Sequence, residues 1–190
     1  MYEASQDSYC YKGSDVLKNK AGLRSQEALD EFEAVMTFAR ADEPLPSGSF
    51  SLSHYYAVHR HLFQDVYTWA GKPRTVRLAK GASAFCYPEY IDQEITRVFA
   101  GLKSQRNLRG LEPKEFAEGA AHFLADLNAI HPFREGNGRA QTTFIAMLAA
   151  SAGHHMNLER LNPKRTLAAM IASFNGDEAP LSALISDLIF

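Results

Sequence analysis

The sequence predicts an all-α fold, a helical bundle that carries one small β-hairpin. Apolar residues recur every three or four positions through most of the chain, which is the period of amphipathic helices. Only residues 74–86 alternate apolar and polar side chains as a strand does. Prolines and glycines separate these segments, and both residue types interrupt regular structure.

Two helices are predicted before the hairpin, over residues 25–40 and 52–67. The loop between them contains two prolines and a glycine within residues 41–48. Helical spacing predicts the buried positions Leu29, Phe32, Met36 and Ala39 in the first helix and Tyr55, Val58, Leu62 and Val66 in the second.

In the predicted hairpin, Val76 and Leu78 alternate with other residue types, Lys80 and Gly81 supply a turn, and residues 84–86 return as a second short strand. An isolated hairpin of two strands is only marginally stable in water. We therefore expect this one to lie against the helices as a flap.

Five helices follow the hairpin. Pro88, Pro113 and Pro163 suit first helical positions, and Asn162 suits an N-cap. The predicted apolar positions of these helices are Ile91, Ile95, Val98 and Leu102; Phe116, Ala120, Phe123, Leu127 and Ile130; residues 140–152; Leu167, Met170 and Phe174; and residues 180–190.

Composition fits one globular domain over residues 1–190, with its core at about residues 50–152. A net charge of −2 provides no overall basic field for nucleic acid or an anionic membrane. The N-terminus has no signal-peptide pattern, and no apolar run is long enough to span a membrane. Cys10 and Cys86 form no disulfide framework, so we expect a cytoplasmic protein with reduced thiols.

The segment His131-Pro-Phe-Arg-Glu-Gly-Asn-Gly-Arg139 carries the chemistry. Gly136 and Gly138 flank Asn137 just before a helix, a pattern that can turn backbone N–H groups towards one anion. The N-terminus of the helix that follows also favours an anion, and phosphate is the natural ligand of such a site. Arg139 can donate to phosphate oxygens, since guanidinium groups bind them in pairs.

Two further side chains complete this predicted polyphosphate site. Glu135 beside phosphate makes sense with Mg²⁺ between them, because Mg²⁺ uses few carboxylates together with substrate phosphates. His131 can accept a proton near neutral pH. Taken singly, each feature also fits a plain turn, a helix cap or a solvated loop edge. Their combination in nine residues favours attack at phosphorus.

The segment resembles the Fic family motif, His-x-Phe-x-(Asp/Glu)-Gly-Asn-Gly-Arg-x-x-Arg, in all but its final arginine. Residues 11–20, 65–71, 80–85 and 174–177 are similar to other stretches of bacterial Fic toxins and host-directed effectors. The resemblance implies a Fic fold and transfer of AMP from Mg-ATP to a hydroxyl side chain, Tyr, Thr or Ser, of a target protein.

The resemblance also assigns roles to the matching positions. His131 would be the base, Glu135 would hold Mg²⁺, and Asn137 would orient the α-phosphate. Gly136, Gly138 and Arg139 would bind the other phosphates of ATP. Phe133 would pack inward and hold the loop. The flap, through Lys80, Gly81 and Phe85, would align an extended target segment by strand addition; from the residues alone, turn chemistry and core packing explain these three equally well.

The final motif arginine is replaced by Thr142. A lost phosphate contact costs about 1.5–3 kcal/mol, so the sequence predicts attenuated turnover or altered nucleotide preference. The inhibitory segment of relatives, Ser/Thr-x-x-x-Glu-Gly/Asn, does not occur in the chain. The resemblance therefore implies either a separate small antitoxin-like partner or an effector free of such control.

Several alternatives stay open at this stage. Gly138 argues against phosphorylation, because the relative that phosphorylates its target carries lysine at this position of the motif. Transfer of UMP or phosphocholine depends on residues outside the motif. Thr142 favours a degenerate domain that binds nucleotide or a partner without catalysis, whereas His131 and Glu135 oppose it. A metal-dependent hydrolase lacks clustered histidine ligands: His59 and His61 are explained by packing and solvation, and the pair at 154–155 has no partners at ligand spacing.

Overall fold

The computed structural model describes residues 7–80 and 83–189. Within these ranges the chain forms seven α-helices and one antiparallel pair of short strands, which confirms the predicted fold class. The helices are α1 Gln26–Ala41, α2 Leu52–Phe63, α3 Pro88–Ser104, α4 Pro113–Ile130, α5 Asn137–Ala152, α6 Pro163–Phe174 and α7 Ala179–Leu188. The strands are β1 Ala79–Lys80 and β2 Ser83–Ala84.

Side-chain caps begin several of these helices. Ser51 Oγ accepts the N–H of His54 at the start of α2, and Asn162 Oδ1 accepts that of Arg165 at the start of α6. The predicted continuation of α2 beyond residue 63 is wrong. The N–H groups of Val66 and Tyr67 both donate to Phe63 O, which closes the chain into a turn.

The chain divides into two compact units, and the first contains the described residues up to Ile91 together with Pro132–Ala140. Here α1 packs against α2. Tyr55, Phe63 and Tyr67 are almost fully buried and belong to an aromatic core. This unit therefore contains all but the first residue of the predicted functional segment.

The second unit contains Asp92–His131 and the residues from Gln141 onwards. Within it, α4 packs against α6 and α7. Phe99, Phe123 and Phe144 meet mostly edge to face in its core. The predicted inward stripe of α4 is buried, whereas Leu167 on α6 is 49% exposed, so its predicted inward position is wrong.

The buried face of α1 differs from the prediction. Leu29 is buried as expected, but Ala39 is exposed. The other buried positions are the polar residues Glu33 and Thr37. Apolar periodicity cannot find such positions, because a polar residue is buried only where a specific partner satisfies it.

The flap is shorter than predicted. Ala79 pairs with Ala84, and Lys80 pairs with Ser83. The buried guanidinium of Arg74 donates to the carbonyl oxygens of Val76 and Cys86, both at 2.6 Å, and so ties the two arms together.

The three predicted flap residues lie in different surroundings. Lys80 is exposed, and Gly81 falls outside the described residues. Phe85 is only 7% exposed, so its ring packs in the core and does not offer a contact surface.

No described helix is both long and apolar enough to cross a bilayer.

Candidate functional site

The functional segment begins where α4 ends. His131 caps this helix in the left-handed conformation, with φ 50° and ψ 62°. The following residue is Pro132, which disfavours right-handed helical geometry at the position before it. A non-glycine residue in this region is strained by about 1–2 kcal/mol. The chain is thus turned sharply at the histidine that the sequence identified as the candidate base.

Gly136 makes the second sharp turn, immediately before α5. Its φ is +81°, and an added Cβ would lie 2.2 Å from Phe63 Cζ. Backbone conformation and lack of space therefore both require glycine. Gly138 differs, because it lies within the first turn of α5 and a Cβ there would meet no atom within 4 Å. The space beside Gly138 leaves room for close approach of a ligand.

Asn137 closes the loop between these turns. Its Oδ1 accepts the N–H of Phe133 at 2.9 Å, and its Nδ2 donates to Phe133 O at 2.7 Å. The side chain is buried, with 2% of its surface exposed. The structure thus gives Asn137 a loop-closing role, and its contact with an α-phosphate stays a prediction.

Phe133 and His59 join this loop to α2. The ring of Phe133 is fully buried and stacks on His59 with the ring centroids 3.7 Å apart. His59 Nδ1 accepts the N–H of Gly71 at 2.9 Å. Its Nε2 therefore carries the proton and donates to Glu135 O at 3.0 Å. Burial lowers the pKa of His59 to about 4, so the ring is neutral near pH 7.

Glu135 is the carboxylate of the loop. Its Oε1 accepts the N–H of Gly136 at 2.8 Å and lies 3.9 Å from Nη2 of Arg139. Burial raises the pKa of Glu135, and the nearby Glu33 adds to that rise. A cation would relieve this unfavourable environment of the ionised carboxylate.

The donors on this loop fit Mg²⁺ held jointly with a substrate. Among the described residues, no group of three or more His, Cys, Asp or Glu could hold a metal ion. Glu135 supplies one partly exposed carboxylate, and Mg²⁺ typically combines one or two protein carboxylates with substrate phosphates.

Arg139 occupies the first turn of α5 and is held by α1. Nη2 donates to Glu33 Oε1, and Nη1 donates to Thr37 Oγ1 at 3.2 Å. Its guanidinium carbon lies 4.6 Å from the centroid of the Phe63 ring. The Arg139 side chain nevertheless remains 41% exposed.

A second arginine of the loop is buried. Arg134 Nε donates to Asp7 Oδ2 at 2.5 Å, and the two side chains are only 6% and 5% exposed. Arg134 is therefore not part of a solvated loop edge. Residues 7, 8 and 10–18 line a cleft of about 1150 Å³ together with Gln26, Arg134 and Glu135, so that Glu135 is the one predicted site residue among the described residues of its lining.

Sequence reasoning missed four residues that fix the loop: Asp7, Glu33, Thr37 and His59. A buried histidine beside aromatic residues is ordinarily interpreted as a packed core residue, and His59 does pack in the core in addition to fixing the loop. Burial of Glu33 and Thr37 has no signal in apolar periodicity. Glu33 and Thr37 share a face of α1 with Leu29, and their polar character on that face is the only feature of the sequence that distinguishes them.

Residues 49–149 match the model of the Fic/DOC family. The chain belongs to the Fic/DOC family. A probable protein adenylyltransferase, y4lH of Sinorhizobium fredii, is 53% identical over 99% of this chain and 98% of its own length. The chain is thus an enzyme of the protein adenylyltransferase class.

Two more relatives support the Fic assignment. Protein adenylyltransferase VbhT of Bartonella schoenbuchensis is 37% identical over 97% of this chain, which matches 39% of that longer protein. A solved Fic structure, BepC of Bartonella tribocorum with bound AMPPNP, has a TM-score of 0.87 and 30% identity over 96% of both chains. A nucleotide-bound neighbour of this similarity supports ATP as substrate.

Proposed function

We propose that this Fic enzyme transfers AMP from Mg-ATP to the hydroxyl of a Tyr, Thr or Ser side chain in a target protein. The observation that carries the proposal is the loop from Pro132 to Arg139. It turns at Gly136 into the N-terminus of α5, with the Glu135 carboxylate 3.9 Å from the Arg139 guanidinium. First-turn N–H groups have no acceptor within a helix and favour an anion.

In the proposed reaction His131 takes the proton of the target hydroxyl. The hydroxyl oxygen then forms a bond to the α-phosphorus of ATP, and the bond from that phosphorus to the bridging oxygen of the β-phosphate breaks. Pyrophosphate leaves with the bonding electrons. Backbone N–H groups near Gly136 and Gly138, together with Arg139, hold the phosphates, so that most of the rate enhancement comes from positioning and charge stabilisation.

Glu135 would hold Mg²⁺ against the phosphates, and the ion would offset their charge. Burial raises the pKa of Glu135, and a bound cation would offset this rise by favouring the charged carboxylate. His59 fixes the backbone of the same residue through its bond to Glu135 O. Asn137, by closing the loop on Phe133, keeps the turn in the conformation that the phosphates require.

The flap would present the target segment. A sheet of two strands has outer edges with unpaired backbone groups, and an extended peptide can add to such an edge. Lys80 is exposed on β1 and so accessible to a docked chain. Phe85 would contribute through its backbone, since its ring is buried.

Labelled ATP tests the proposal. Wild type and His131→Ala are incubated with Mg²⁺, a lysate and ATP labelled at the α- or the γ-phosphate. We expect protein labelling from the α position only, lost in His131→Ala and retained in the control His155→Ala, which removes an exposed histidine. Label from the γ position would instead indicate phosphorylation. Nucleotide binding without any transfer would favour the non-catalytic binding domain that Thr142 suggests, and labelling from UTP in place of ATP would indicate another nucleotide.

A small inhibitory partner belongs to the same proposal. The chain has no Ser/Thr-x-x-x-Glu-Gly/Asn segment, and we propose that a separate small helical protein supplies the inhibitory glutamate; the alternative is an effector free of such control. Purification from the native host is expected to recover that protein in complex. Recovery of the enzyme alone, with no gain in solubility from any small co-expressed neighbour, would argue against the partner.

A further inference from the structure

The guanidinium of Arg139 is held by two side chains of α1. Glu33 accepts from Nη2 through Oε1, and Thr37 Oγ1 accepts from Nη1 at 3.2 Å. The two acceptors are four residues apart and thus one helical turn apart on the same face of α1. Bonds to both terminal nitrogens fix the rotation of the guanidinium plane, which one bond would leave free.

The Glu33 carboxylate is itself fixed. Its second oxygen, Oε2, accepts the hydroxyl proton of Tyr67, and the Glu33 side chain is only 11% exposed. Thr37 Oγ1 donates to Glu33 O at 2.7 Å, which directs its lone pairs away from the α1 backbone. Tyr67 stacks on Trp69 with the ring centroids 4.3 Å apart. Both oxygens of the Glu33 carboxylate are thus held by hydrogen-bond donors.

Arg139 retains donors for a ligand. A guanidinium has five N–H groups, and Glu33 and Thr37 use two of them. With 41% of its side chain exposed, Arg139 can contact an oxyanion without leaving either residue. Glu33 therefore need not be displaced when a phosphate binds.

We propose that Glu33 is a positioning residue that orients Arg139 towards the β- and γ-phosphates of ATP. This role rests on the proposed function, because it assumes that the loop binds a nucleotide. It makes a prediction opposite in sign to simple electrostatics. Removing a carboxylate near a polyanion should tighten binding if only charge mattered, whereas loss of a positioning residue weakens it.

A double-mutant cycle measures this effect directly. Dissociation constants of Mg-ATP and of AMP are determined by titration calorimetry for wild type, Glu33→Ala, Arg139→Ala and the double variant. We expect Glu33→Ala to weaken ATP binding about tenfold or more and AMP binding by less than about twofold. In the Arg139→Ala background, loss of Glu33 should have no further effect on ATP.

Controls separate this role from general loss of structure. Tyr67→Phe removes the donor to Glu33 Oε2 and is expected to weaken ATP binding less than Glu33→Ala does. Glu33→Gln keeps an acceptor for Arg139 and should fall between Glu33→Ala and wild type. A misfolded variant would lose AMP and ATP binding alike, in parallel with its free energy of unfolding.

Three results would overturn the inference: tighter ATP binding by Glu33→Ala, an equal effect of this substitution with and without Arg139, or no ATP binding by the wild type. The proposed function fails on a different observation, the absence of AMP transfer by the wild type. If ATP binding follows the cycle but no transfer occurs, Glu33 still positions Arg139, and the domain is a nucleotide-binding one.

Discussion

Acid should destabilise this protein through His59, and replacing that histidine should remove part of the effect. The ring is fully buried, and its Nδ1 accepts the N–H of Gly71 while its Nε2 donates to Glu135 O. A proton on Nδ1 would turn that acceptor into a second donor facing an N–H group. Burial accordingly lowers the pKa of His59 from 6.5 to about 4.

The direction of the effect follows from proton binding. Below about pH 6.5 the unfolded chain binds a proton at His59 that the folded chain does not. The contribution of His59 to the free energy of unfolding is therefore fully present above about pH 6.5. It falls as the pH drops from about 6.5 to about 4, and it changes no further below about pH 4. The full loss is about 3 kcal/mol, of which about 2 kcal/mol falls between pH 7 and pH 5.

Urea denaturation followed by circular dichroism at pH 7 and pH 5 measures this loss. We expect His59→Gln, less stable than wild type at neutral pH, to lose about 2 kcal/mol less than wild type between the two values. The loss in His59→Gln is subtracted from the loss in wild type, so that contributions from other titrating groups cancel. The control His155→Gln, at an exposed position, should lose as much as wild type. An equal loss in wild type and His59→Gln would refute the assignment of a buried neutral imidazole.

Three further predictions concern the functional loop. Gly136→Ala should destabilise the fold by at least about 1 kcal/mol through its positive φ, with a clash against Phe63 in addition, as measured by urea denaturation. Asp7→Asn should cost about 3–5 kcal/mol in the same assay, because it removes one charge of the buried ion pair between Asp7 and Arg134. Thr142→Arg should raise the rate of AMP transfer about 10- to 150-fold by restoring a charged phosphate contact.

Each of these predictions can be contradicted. A Gly136→Ala variant as stable as wild type would mean that the loop relaxes readily away from Phe63. A small effect of Asp7→Asn, equal to that of Asp15→Asn at an exposed position, would show that the pair with Arg134 contributes little. An unchanged transfer rate for Thr142→Arg would reject the attenuation attributed to this position.

The sequence by itself determined the features whose signal is local. Helical periodicity predicted the buried stripes of α3 and α4. Nine consecutive residues, 131–139, identified the functional segment and the family, because turn, helix start and chemical groups all lie within one short stretch. Local signals failed at boundaries such as the end of α2, where hydrogen bonds to Phe63 O decide where the helix stops.

Only the tertiary structure decided how this segment is held. His59 lies 76 residues from Glu135, Glu33 lies 106 from Arg139, and Asp7 lies 127 from Arg134. Each pair joins a polar group to a partner that is distant in sequence, and burial of such groups is stable only when both are brought together. Residue periodicity records which face of a helix avoids water; it carries no information about which distant polar group completes a buried pair.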